Sequence, residues 1–206
     1  MLTRFIFTKF KQRDLAYADA QVHLVSGVRF SNEGLYDQAL AELKKAVRAD
    51  RSCAEGWVEL GHVHQKLGQV DLATKAYLSA MDVRPDLLTA YKKLGRLYDN
   101  AGQFLKALRV YTKAIVLAPN DAELRNALGE AYFNIGSYSD AIKAFKQALE
   151  IDPSSARAYF CLGLVRIDLD EQELAIIEHE RLLSLNEKEL AFQLMDKIQR
   201  QRRQAS

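Results

Sequence analysis

Apolar residues return along this chain on a helical rhythm, and the rhythm as a whole returns every 34 residues. Within residues 122–155, AELRNALGEAYFNIGSYSDAIKAFKQALEIDPSS, Leu128, Gly129 and Tyr132 fall in a first helical pattern that Gly136 closes with a turn. Ala141, Phe145 and Ala148 then mark the buried stripe of a second helix, which Pro153 stops by biasing Asp152 away from helical angles. The pattern predicts a helix-turn-helix unit that cannot bury its own apolar face and must stack on its neighbours.

The same residue types recur in five units, residues 20–53, 54–87, 88–121, 122–155 and 156–189. Gly27, Gly61, Gly95, Gly129 and Gly163 share one position, and Ala39, Ala73, Ala107, Ala141 and Ala175 share another. Trp57, Leu60, Tyr77 and Pro85 complete the second unit, and Tyr91, Leu94, Tyr98, Tyr111 and Pro119 the third. This set resembles the tetratricopeptide repeat (TPR), with its bulky residue, Leu-Gly, Tyr, then Ala, an aromatic residue and Pro. The resemblance implies an all-α fold, a right-handed superhelix of five helical hairpins. Its physical sense is that Gly129 and Ala141 keep two helices close while Tyr132 and Phe145 fill the space around them.

The outer units depart from the pattern, as units with one open face do. The first has Ser26 for Leu, Leu43 for the aromatic residue and Arg51 for Pro; the fifth has Asp170 for Gly, His179 for the aromatic residue, Leu182 for Ala and Glu187 for Pro. Without that proline, the last helix of the fifth unit is expected to lead smoothly into residues 190–206. There Leu190, Leu194 and Ile198 form one stripe, a capping helix followed by a basic tail. Residues 1–19 form a basic, aromatic extension that becomes helical from about Asp14.

Composition narrows the function classes. With 49% apolar and 27% charged residues and a net charge of +2, the chain fits a folded soluble protein whose repeats make one elongated domain. Residues 1–19 carry 4 basic against 2 acidic side chains, residues 20–189 carry 21 against 24, and residues 190–206 carry 4 against 1. Nucleic acid is therefore not expected as a partner. The patch Leu2, Phe5, Ile6, Phe7 and Phe10 is interrupted by Arg4 and Lys9, too short for a span. It reads as a leader packed on the first repeat or, alternatively, as a basic amphipathic anchor formed by residues 1–13. Cys53 and Cys161 lie three repeats apart, which points to a reducing, cytoplasmic setting.

Candidate catalytic chemistry fails residue by residue. His64 and His179 occupy positions that are normally aromatic, and His23 takes the place equivalent to Trp57. His62 and His64 point in different directions on a helix, and neither has the HExxH or paired-Cys company of a metal site. Asp168, Asp170 and Glu171 lack the calcium-loop spacing, and no phosphate-cradling glycine loop occurs. No catalytic residue, metal or cofactor is expected, and the chain is not expected to be an enzyme.

The family resemblance implies instead a concave wall built from the first helix of each unit. On that wall it places Leu24, Val28 and Asn32; Glu55, Glu59, His62 and Gln65; and Lys92, Lys93, Arg96 and Asn100. It continues with Glu123, Asn126, Glu130 and Asn134, then Arg157, Phe160, Leu164 and Ile167. The chaperone-tail clamp of related domains would fall on Lys92, Arg96, Ala127, Arg157 and Cys161, and Ala127 and Cys161 lack its donors. What remains is capture of a peptide or helix segment, with Leu24, Val28, Phe160 and Leu164 as apolar anchors and His62, Lys92, Arg96, Asn126 and Glu130 setting register. The expected role is a non-catalytic scaffold or adaptor for a protein partner. The alternatives are a self-assembling structural protein and a membrane-surface adaptor. The wall could also be covered at Phe160, Leu164 and Ile167 by the chain's own ends.

Overall fold

The computed structural model describes residues 2–205, with side chains placed for residues 14–203. The secondary structure of the described residues is helical throughout, and it divides into two compact units, residues 1–97 and 98–206. The first unit holds α1 (Leu2–Asn32), α2 (Tyr36–Ala49), α3 (Ala54–Lys66), α4 (Val70–Val83) and most of α5 (Leu88–Asn100). The second holds α6 (Phe104–Leu117), α7 (Ala122–Asn134), α8 (Tyr138–Ile151), α9 (Ala156–Asp168), α10 (Gln172–Ser184) and α11 (Lys188–Ala205). Within the units, α1 packs on α2, α3 on α4, α7 on α8 and α9 on α10, each pair an antiparallel hairpin with a short turn.

The hairpins close where a glycine of the first helix meets a bulky side chain of the second. A Cβ built on Gly129 would lie 2.6 Å from Phe145 Cε1, and one on Gly61 would lie 2.7 Å from Tyr77 Cε1. Phe145 and Tyr77 are fully buried, so neither ring can retreat. Burying such a ring contributes on the order of 1.5–3 kcal/mol. In the first hairpin Leu43 replaces the aromatic ring and packs on Gly27 at the same range.

The fifth repeat solves this differently. The three atoms nearest a Cβ at Gly163 all belong to Leu194, at 2.6 to 3.3 Å, so α11 rather than α10 fills the seat above the glycine. His179, which stands where the aromatic residue would, instead places Nδ1 2.9 Å from the Ala191 carbonyl oxygen. Leu194, Ile198 and Ala191 are fully buried with Ile167, Ala175 and Leu182 in one cluster, so α11 closes the end of this unit.

Turn chemistry follows the same logic. Gly136 ends the first helix of its hairpin at φ +76°, and the Gly136 and Ser137 N–H groups donate to the Phe133 and Tyr132 carbonyls, both at 2.9 Å. Asp170 takes the equivalent place at φ 60°, a conformation that a short polar side chain tolerates. The expected smooth passage from the fifth repeat into the capping helix does not occur. Asn186 turns at φ 63° with the Glu187 N–H bonded 2.9 Å to the Leu182 carbonyl oxygen, so an asparagine ends α10 in place of the missing proline. At the end of α2, Asp50 is extended at φ −133° without a proline after it; its Oδ1 accepts from the Ser52 N–H at 2.8 Å and from the hydroxyl at 2.6 Å.

The N-terminal extension is part of α1, one helix from Leu2 through Asn32. Packing or anchoring by the side chains of residues 1–13 lies outside the described residues. Among the described residues no helix is long and apolar enough to cross a membrane.

The glycine seats yield a stability expectation. Gly129→Ala forces Phe145 to shift inside a filled core and should cost about 1–3 kcal/mol, read as a lowered midpoint of thermal unfolding. Gly129→Ala combined with Phe145→Leu should recover part of that loss, because the smaller side chain makes room. An unchanged midpoint in the single variant would rule out the tight contact.

Candidate functional site

In the first unit, helices α3 and α5 hold the wall side chains that the repeat pattern assigns to them. On α3, Leu60, Gly61, Val63 and His64 turn inward and are buried, whereas Glu55 is exposed and Glu59 and His62 are half-buried. On α5, Tyr91, Leu94 and Gly95 are buried, Lys92 and Lys93 are half-buried and Arg96 is exposed. An acidic row on α3 therefore faces the same field as a basic row on α5. His62 reports on both rows: Glu59 Oε2 lies 3.6 Å from its Nδ1, and the charge of Lys93 reaches it across the helices. Burial and Lys93 push the His62 pKa down, and Glu59 offsets part of that shift.

Several assigned residues are held by the protein itself. Glu55 accepts a bidentate pair from Arg84, Nη1 to Oε1 at 2.6 Å and Nη2 to Oε2 at 2.9 Å. The Tyr77 hydroxyl donates 2.9 Å to Gln65 Oε1. Leu24 retains 9% exposure and sits in the core of the first unit with Leu43, Val47, Leu60 and Val63, with Val28 packed at its edge. It serves as a packing residue between α1, α2 and α3.

In the second unit the residues assigned to the wall form an electrostatic knot. Arg157 of α9 donates through Nε and, at 2.7 Å, through Nη2 to the Glu130 carboxylate of α7. The Cys161 thiol stands 3.7 Å from the same carboxylate, and burial, with the charge of Glu130, pushes its pKa up to about 12. Asp99, at the end of α5, accepts from the Tyr111 hydroxyl at 2.6 Å; burial and the Glu130 charge raise its pKa. Asn126 is 6% exposed, and its Nδ2 donates 3.0 Å to Ser155 Oγ while Oδ1 has no partner. Asp99 entered no sequence-based site. Cys161, four residues beyond Arg157 on the same helix face, falls at the last position of the clamp frame, where it was expected to contribute no donor.

Phe160 and Leu164 pack half-buried against the cluster that α11 completes, and Gln201 of α11 donates 2.8 Å to the Ile167 carbonyl. This end of the wall is thus partly covered by the chain itself. Leu164 nonetheless borders an open recess of about 580 Å³, together with Phe133, Tyr138, Ile167, Lys197 and Arg200. The histidines outside the wall serve packing: His64 Nδ1 lies 2.6 Å from Gln69 Oε1, and His23 Nδ1 lies 2.6 Å from Glu42 Oε2. Among the described residues no three His, Cys, Asp or Glu side chains gather as metal ligands do.

Comparison with known proteins places this geometry in context. The family profile described as the cilia and flagella-associated protein 70 C-terminal domain matches residues 15–175. Among solved structures, MamA residues 41 to the end from Desulfovibrio magneticus RS-1 is similar at a TM-score of 0.75 and 23% identity, covering 82% of this chain and 96% of that one. YrrB, described as a TPR protein with an unusual peptide-binding site, is similar at a TM-score of 0.72 and 23% identity, covering 92% of this chain and 97% of that one. These likenesses show a tetratricopeptide-type helical repeat fold. A search of curated protein sequences returns no match.

The His62 environment carries a pH expectation. Its folded-state pKa lies below the model-peptide value of about 6.5. The stability this contributes is fully present above about 6.5 and is lost as pH falls through that value toward the folded pKa, because the unfolded chain binds the proton first. His62→Gln should flatten this part of the stability profile, followed by denaturant titration between pH 5 and about 7.5. A His62 ring titrating above the reference value in an NMR experiment would overturn the assignment.

Proposed function

Because this chain belongs to the family of the cilia and flagella-associated protein 70 C-terminal domain, we propose that it is a non-catalytic scaffold that captures a peptide or helix segment of a protein partner. The observation that carries this reading is the split in the first unit between a buried seam and a displayed row. Glu59 and His62 on α3 and Lys92, Lys93 and Arg96 on α5 stand beside buried core residues such as Leu60, Val63, Tyr91 and Leu94. Such a surface recognises a segment whose own charges alternate, since like-charge juxtaposition rejects other registers. Val28 supplies an apolar contact at the margin of this unit. In the second unit, the recess bordered by Leu164 is a separate anchor that joins apolar Phe133, Tyr138 and Ile167 to charged Asp168, Lys197 and Arg200. Repeat families of this type are typically non-enzymatic, which supports the absence of chemistry in the proposal. Buried Cys53 and half-buried Cys161, both free thiols, fit a cytoplasmic setting.

Self-association is the second reading, favoured by one observation on α1. Leu15, Val22 and Val25 form a stripe at helical spacing with exposures of 62%, 64% and 68%. A second copy of the same helix could cover that stripe in a symmetric pair.

Two measurements separate the readings. Lys92→Glu with Arg96→Glu should weaken partner capture in a pull-down at least about tenfold while helicity by circular dichroism stays unchanged; undiminished capture would defeat the charged-face assignment. If copies associate through α1, Val22→Glu with Val25→Glu should abolish concentration-dependent species in light scattering, and a monomer at all concentrations in the unmodified protein would remove the second reading.

A further inference from the structure

Helix α6 differs from the other outer helices in what it shows to solvent. From Asn100 to Asn120 the chain contains no Asp or Glu, and the charged side chains there are Lys106, Arg109 and Lys113. All three are exposed. Interleaved with them are Leu105 at 66% exposure, Leu117 at 42% and Val116 at 79%, the highest value among the exposed large hydrophobic residues of the described chain. Leu105 and Val116 are eleven residues apart, close to three full turns, so they share one line along the helix about 16 Å long. Arg109 lies close to that line and Lys113 beside it.

A second feature adjoins the first. A recess of about 420 Å³ opens at the start of α6, lined by Gly102, Gln103, Phe104, Leu105, Lys106 and Ile135. Lys106 sits at its edge, with Nζ 2.8 Å from Gln103 Oε1 and 5.5 Å from the centre of the Tyr98 ring. An apolar hollow is thus rimmed by a cation at the end of a ridge that alternates aliphatic and basic side chains.

We propose that the outward face of α6 docks on an anionic phospholipid surface. A helix ridge has no groove in which to enclose a peptide, whereas a fluid bilayer yields around protruding aliphatic groups. Leu105 and Val116 enter the boundary between headgroups and acyl chains, and the recess at Phe104 and Ile135 receives part of an acyl chain. Lys106, Arg109 and Lys113 stretch outward along their apolar stems to pair with headgroup phosphates. The missing carboxylates matter as much as the cations, because a single Asp or Glu on this face would be repelled by the lipid charge. This surface is distinct from the peptide-binding face on α3 and α5, so the two tests can fail independently.

The test is flotation of the full chain with vesicles of phosphatidylcholine alone or mixed with phosphatidylserine. The protein should float with the mixed vesicles, remain behind with the neutral ones, and release as salt is raised. Arg109→Glu with Lys113→Glu should lower the bound fraction at least about tenfold, and Val116→Asp should lower it independently. Lys44→Glu with Arg48→Glu on α2, an equal change in net charge, should leave binding intact. A Val116→Trp reporter in a Trp57→Phe background should be quenched by brominated acyl chains, a site-specific readout that does not depend on loss of binding. No flotation with anionic vesicles, flotation that survives the α6 variants, equal loss in the α2 control, or an unquenched Trp reporter would each overturn the proposal.

Discussion

The missing Cβ of a glycine, filled by a side chain from a partner helix, is the contact on which these helical hairpins depend. At Gly61 and Gly129 the occupant is a fully buried aromatic ring at less than 3 Å from where a Cβ would stand. The backbones are therefore as close as the ring allows, and the remaining side chains of each first helix divide into those pressed inward and those carried on the opposite side. A wall of variable residues is the geometric by-product of a seam that permits almost none. The seam is common to the repeats, and the outward positions are what distinguish one repeat from the next.

Electrostatically, the two walls differ. In the first unit Glu59 of α3 and Lys93 of α5 act on His62 with opposite sign, so charges of both kinds meet at one side chain. In the second, Glu130 is engaged by Arg157 and by the Cys161 thiol, and the charge of Glu130 in turn makes ionisation of Asp99 harder. Such a knot positions α7 against α9, because the Glu130 carboxylate is already engaged by the Arg157 guanidinium.

Most of the fold was legible in the sequence because a 34-residue period carries its own confirmation: Gly129 and Phe145 make sense only together, and the pairing recurs. The site was less so. Leu24 shares its repeat position with Lys92 and Asn126, and from letters alone all three belong to one wall; contact with α2 and α3 draws Leu24 into a core. Phe160 and Leu164 are apolar for the same reason, being backed by α11. The join between the fifth repeat and α11 was misjudged because a missing proline says only that one stop signal is absent. Asn186, whose side chain tolerates the left-handed turn, supplied another.

Leu194 sits where the preceding hairpins hold a side chain of their own second helix, and that borrowing limits how such a chain can lengthen. Duplicating an interior stretch such as residues 122–155 would hand the copy of Gly129 its own ring. A copy added after Glu189 would separate Gly163 from the Leu194 side chain that packs on it. Growth by tandem duplication is thus open in the interior and barred at the tail, where a borrowed leucine acts as the full stop.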